Sequence, residues 1–123
     1  MSGRTPAVLI VEDDAHLSAA LGLCVEEAGY EVAGLAHSVE SALATLRCET
    51  VDAALLDINL QGELVYPVAH ALAERGVPFV FVTARPASEI PEPYRQHPVI
   101  SKPYYDAALC AALATVLTDG SRR

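Results

Sequence analysis

Positive charge is scarce in this chain. Its 123 residues carry 16 acidic side chains against eight arginines and lysines, a formal net charge of -8, and Lys102 is the only lysine. No basic stripe is present to displace counterions from phosphates, which excludes non-specific nucleic-acid binding. Long apolar runs are also missing. A53-A-L-L and V77-P-F-V-F-V-T-A fall far short of the roughly 20 residues that span a bilayer, so no transmembrane helix is expected. The opening M1-S-G-R-T-P leads straight into V8-L-I-V without the charged start, long apolar centre and cleavage site of a signal peptide, and the expected location is the cytoplasm. Cysteine is sparse: Cys24, Cys48 and Cys110 are odd in number, widely spaced and set in apolar helical patterns. They read as buried thiols in a reducing compartment rather than as a disulfide framework or a metal centre.

What is abundant is apolar residues, 52% of the chain, enough for one buried core. A single domain is expected over 1–123, with its core at about 6–118 and short flexible ends. Five β-branched or aliphatic runs alternate with helical patterns: V8-L-I-V, Y30-E-V-A-G-L, A53-A-L-L-D, F79-V-F-V-T and P98-V-I-S. That alternation signals βα units and a parallel sheet. Asp14 caps a first helix with Leu17, Leu21, Cys24, Val25 and Ala28 on one face and Gly29 as its stop. Ser38 caps a second, bearing Val39, Ala42, Leu43 and Leu46. A third runs from about Val65 to Arg75, with Pro67 in its first turn and Gly76 at its end. Asp106 caps the last, with Leu109, Leu113, Val116 and Leu117 inward. Between the fourth and fifth runs, R85-P-A-S-E-I-P-E-P-Y-R-Q-H-P98 holds four prolines, which excludes an ordinary helix and leaves a loop with at most one helical turn. Right-handed crossovers then give a flavodoxin-like three-layer α/β sandwich, a five-stranded parallel sheet of order 2-1-3-4-5 with helices on both faces and a shortened or absent fourth helix.

Ligands of open α/β sheets bind beyond the carboxyl ends of the strands, so the residues that finish each run matter most. The first ends in Glu12-Asp13-Asp14, the third in Asp57, the fourth in Thr83 and the fifth in Ser101-Lys102. In the expected order these four ends are neighbours. Carboxylates packed together raise one another's pKa values, and a divalent cation relieves the repulsion. An oxygen-only ligand set with room for water favours magnesium or manganese. Asp13 and Asp57 are the expected direct ligands, with the backbone carbonyl of Asn59 a third and Glu12 acting through water. An ammonium and a hydroxyl facing a metal-bound carboxylate fit a nucleophile that accepts a phosphoryl group, with Lys102 as phosphate counterion and Thr83 as hydrogen-bond donor. A cis Lys102–Pro103 bond would aim the ammonium inward. Asn59, Ala84 and Arg85 flank the expected phosphate position. His16, His37, His70 and His97 share no spacing and are expected at surface or capping positions.

With V11-E-D-D14, L55-L-D-I-N59, V82-T-A84 and S101-K-P-Y104 in this order, the chain resembles the receiver domains of two-component response regulators over about residues 6–118. The resemblance implies that Asp57 accepts phosphate from the phosphohistidine of a sensor histidine kinase, or exchanges it with a histidine phosphotransferase. It also implies that Glu12 and Asp13 organise Mg2+ and that Thr83 and Lys102 bind the phosphoryl oxygens. A narrower likeness, in N59-L-Q-G-E-L-V-Y-P-V-A-H-A-L, R75-G-V-P-F-V-F-V-T-A, the proline-rich loop and R95-Q-H-P-V-I-S-K-P-Y, is to small alphaproteobacterial receivers nicknamed for a PFxFATGY stretch, which tend to work with HWE-type or related kinases. Val82 and Arg85 depart from that stretch, and Val99 stands where typical receivers carry a switching aromatic residue. The expected function is therefore a phosphoacceptor signalling protein rather than an enzyme, regulating a partner protein, relaying phosphate or acting as a phosphate sink. Kinase docking is expected on the exposed side of the first helix and the loop after Lys102. Two alternatives were weighed. An aspartate-nucleophile phosphohydrolase would carry Asp-x-Asp on its first strand and a cap domain; a phosphorylation-independent binding module would not need the acceptor residues.

Overall fold

The computed structural model describes residues 5–102 and 104–121. Strand β1 (Ala7–Val11) is followed by helix α1 (Ala15–Glu27), β2 (Glu31–Ala36), α2 (Val39–Cys48) and β3 (Ala53–Asp57). Then come two short strands, β4 (Asn59–Leu60) and β5 (Glu63–Leu64), helix α3 (Tyr66–Glu74), β6 (Phe79–Thr83), β7 (Val99–Ser101) and α4 (Asp106–Ser121). Five strands form one parallel sheet of order β2-β1-β3-β6-β7, the expected 2-1-3-4-5 once the small β4–β5 ladder is set apart.

Alternation along each strand divides the core between two faces. Leu9, Val11, Leu56, Phe79 and Phe81 point to the side covered by α2 and α3. Val8, Ile10, Leu55, Val80 and Val82 point to the side covered by α1 and α4. Strands buried on both faces read as continuous apolar runs, which is why V8-L-I-V and F79-V-F-V show no polar alternation.

Local chemistry fixes the helix ends. The Asp14 carboxylate accepts from the Leu17 amide at 3.0 Å and is held below its ordinary pKa by that bond. Ser38 and Ser41 form a reciprocal capping box at the start of α2. Gly29 and Gly76 follow α1 and α3 at positive φ, +98° and +70°, where a Cβ would be strained. The Asp106 position differs slightly from expectation, being the first residue of α4 itself. Ala28, expected on the inner face of α1, is exposed because the helix has already ended there.

Three further departures are physical in origin. The sequence reading contained no β4–β5 hairpin; Gln61 and Gly62 turn it, both at positive φ, and the Asn59 side chain accepts from the Gly62 amide at 2.9 Å. Cys48 is exposed, because it closes α2 on the solvent side. His97, expected at the surface, stacks on Phe79 with ring centroids 3.9 Å apart, and burial lowers its pKa.

The fourth crossover is a loop holding two 3-10 turns, Ala87–Glu89 and Glu92–Tyr94. It is packed all the same. Ile90 is buried in the α2–α3 core, Tyr94 stacks on Tyr66 at 5.4 Å and meets Phe81 edge-on, and Arg95 Nε donates to the Ile90 carbonyl at 2.8 Å. Aromatic rings and one isoleucine occupy the space that a helix would otherwise cover.

Candidate functional site

The sheet register brings the sequence-distant residues together. Val11 pairs with Leu56, Asp57 with Val82 and Thr83 with Ser101, so the carboxyl ends of β1, β3, β6 and β7 finish side by side. Glu12 and Asp13 follow β1 directly. Lys102 is anchored by its own amide, which donates to the Thr83 carbonyl at 2.8 Å.

Glu12 lies at the bottom, with 2% of its surface exposed. One carboxylate oxygen accepts from Lys102 Nζ at 3.1 Å and the other from the Asp14 amide at 3.1 Å. Lys102 Nζ also stands 3.5 Å from Asp57 Oδ2. The ammonium is thus shared between two carboxylates, hydrogen-bonded to Glu12 and in a looser ion pair with Asp57. Burial pushes the Glu12 carboxyl up to about 7, the Asp14 amide opposes this, and the Asp57 charge adds to it while Lys102 pulls it back. His37 approaches from β2, its Nδ1 at 2.9 Å from the Glu12 carbonyl, and so braces the same turn.

Above this base opens a cavity of about 390 Å³ lined by Asp13, Asp57, Asn59, Thr83, Ala84, Arg85 and Lys102, together with Gln61 and Gly62 of the hairpin. Every site residue expected from the sequence and described here, apart from Glu12 beneath it, lines this cavity. Pro103, expected to be cis, lies outside the described residues. Thr83 is 2% exposed, and its hydroxyl oxygen accepts from the Arg85 amide at 3.0 Å, which leaves its own O–H to donate. Arg85 directs its guanidinium to Glu89 at 2.9 Å. Gln61 and Gly62 were not among the expected site residues, and His37, expected only at a surface or capping position, braces the site. The N59-L-Q-G62 spacing, a turn pattern that begins two residues past Asp57 and ends in glycine, was the signal for the first two; His37 carries none.

Carboxylate oxygens of Glu12, Asp13 and Asp57 lie within 4.8 Å of one another. Three converging carboxylates, one with a pKa raised largely by burial, form a hard all-oxygen donor set that fits a magnesium-like dication better than a soft metal.

The family model described as the response regulator receiver domain matches residues 8–114. The chain belongs to that family. Among solved structures it is similar to SdrG from Sphingomonas melonis Fr1, with 38% identity, a TM-score of 0.80, and coverage of 95% of this chain and 99% of that one. The receiver domain of the PhyR response regulator of Erythrobacter litoralis is 26% identical at TM-score 0.82, with 93% of this chain and 91% of that one covered. A structure of the PhyR stress response regulator is 30% identical at TM-score 0.82, matching 98% of this chain and 48% of that one. No curated protein matches significantly. Receiver domains are signalling modules, and the site is consistent with that class: the Asp57 carboxylate, the Lys102 ammonium and the Thr83 hydroxyl line one cavity.

Proposed function

We propose that this receiver takes a phosphoryl group onto Asp57 from the phosphohistidine of a sensor histidine kinase, or of a histidine phosphotransferase, and thereby regulates a partner protein. The observation that carries the reading is the one lysine of the chain, Lys102, poised 3.5 Å from Asp57 Oδ2 where three carboxylates converge. An Asp57 oxygen attacks phosphorus, the phosphorus–nitrogen bond to imidazole breaks, and the electron pair stays on the departing nitrogen. Lys102 then meets the new phosphoryl oxygens, and the Thr83 hydroxyl donates to another. Asp13 and Asp57, with the Asn59 carbonyl and with Glu12 through water, would hold Mg2+ or Mn2+, which supplies neutralisation of the transferred charge.

Arg85 gives the loop a route to respond. Its exposed ion pair with Glu89 is weak by nature, and a dianion on Asp57 competes for the same guanidinium. Release of Glu89 loosens the first 3-10 turn, so the 85–98 loop takes the signalling role that Val99 is too small to play. The narrower PFxFATGY-type reading, with an HWE-type kinase as partner, rests on the sequence likeness, and the similarity to the PhyR stress response regulator supports a stress-response setting. Leu23 on α1 and Tyr105 before α4, 62% and 84% exposed, offer apolar contact for the kinase.

Incubation with acetyl phosphate and magnesium, read by intact mass, tests the acceptor. One phosphoryl group per chain is expected, and none in Asp57→Asn; retention of the group in that variant would sink the assignment.

A further inference from the structure

Two of the three cysteines meet. Cys24 of α1 and Cys110 of α4 are 86 residues apart in sequence, yet their sulfurs lie 3.8 Å from each other in the layer that covers one face of the sheet. Disulfide sulfurs sit about 2.05 Å apart, so closure needs under about 2 Å of sulfur motion. Both residues are free thiols. Among the described residues neither belongs to a three-ligand metal cluster, so the pair offers redox chemistry rather than a metal site.

Their surroundings differ in a way that orders the chemistry. Cys110 is partly exposed, whereas Cys24 is buried and its thiol is pushed up to about 12, first by that burial and then by Cys110. An oxidant therefore reaches Cys110 first, and Cys24 is the resolving partner behind it. Placement adds a consequence. Helix α1 begins just after Glu12 and Asp13, and α4 just after Lys102 and Tyr104. A bond between these helices ties the segment bearing the carboxylates to the segment bearing the ammonium.

We infer that Cys24 and Cys110 form a dithiol that hydrogen peroxide converts to an intramolecular disulfide, locking α1 to α4. The Cys110 thiolate attacks a peroxide oxygen, the O–O bond breaks, and the second oxygen leaves as water after taking a proton. The resulting sulfenic acid is attacked by the Cys24 sulfur; the S–O bond breaks and the hydroxyl departs with the Cys24 proton as a second water. Two electrons pass from the thiols to the peroxide. Cys48, exposed at the end of α2, takes no part.

The test uses the full chain carrying Cys48→Ser, so that no exposed thiol links two copies. The reduced protein is treated with a small excess of hydrogen peroxide, alkylated, and read by intact mass and peptide mapping. The expected product is a monomer lighter by two hydrogens, with Cys24 and Cys110 peptides joined, and a higher urea midpoint that dithiothreitol returns to the starting value. Cys110→Ser, at a half-buried position, loses both changes, and Cys24→Ala checks the partner from the other side. Two thiols that stay alkylatable, a Cys110 oxidised to sulfinic acid beside a free Cys24, or a joined form with a lowered midpoint would each overturn the inference.

Discussion

Glu12 shows what a single side chain gives up for the site. A carboxyl 2% exposed, beside Asp57, is held partly protonated near neutrality, against an ordinary value of 4.5. Below about 4.5 it is protonated in folded and unfolded chains alike, and costs nothing. As pH rises toward about 7 the unfolded chain ionises first, so the fold loses stability through that window and the loss is complete above it. In EDTA, the urea midpoint is expected to fall between those values in the unaltered protein and to fall less in Glu12→Gln. Parallel profiles for the two proteins would show that Glu12 is not the group being titrated. Type and order of the polar residues were legible from the sequence, since Glu12-Asp13, Asp57, Thr83 and Lys102 each close an apolar run. The direct contact of Lys102 with Glu12 was not, because it joins side chains 90 residues apart that only the sheet order and the packing at its edge bring together.

Among the elements, the fourth crossover departs furthest from regular structure. Four prolines between Arg85 and Pro98 forbid an ordinary helix, and that much follows from the missing amide protons and the fixed φ of proline. Its packing does not. Ile90, 1% exposed, and the Tyr94–Tyr66 stack fix the loop against α3, and those contacts come from residues far apart in the chain. Ile90→Ala is expected to cost about 2–5 kcal/mol and to speed amide exchange first in 85–98. Exchange that quickens equally in β1 and β3 would mean the loop opens only with the whole fold. The β4–β5 hairpin is the second element that escaped sequence reading. Strands of two residues are too short to show a period, and only the glycine turn announces them.

For the molecule as a whole, a dication held at the acidic edge, as proposed, would couple stability to its concentration. A ligand that binds the folded chain alone adds about 2.7 kcal/mol at a hundred times its dissociation constant. Magnesium is accordingly expected to raise the thermal midpoint, and Asp13→Asn to abolish most of that rise. An unchanged midpoint in the unaltered protein, with calcium and manganese equally inert, would remove the dication from the account. The sequence by itself determined the alternation of strands and helices, the strand order and the chemistry gathered at one edge, because burial on both faces forces continuous apolar runs and leaves polar groups only where strands end. Tertiary structure alone decided which groups touch: the ammonium shared by two carboxylates, His97 on Phe79, and the thiols of α1 and α4 in contact. Those pairings depend on side-chain packing between segments up to 90 residues apart, a distance over which periodicity carries no information.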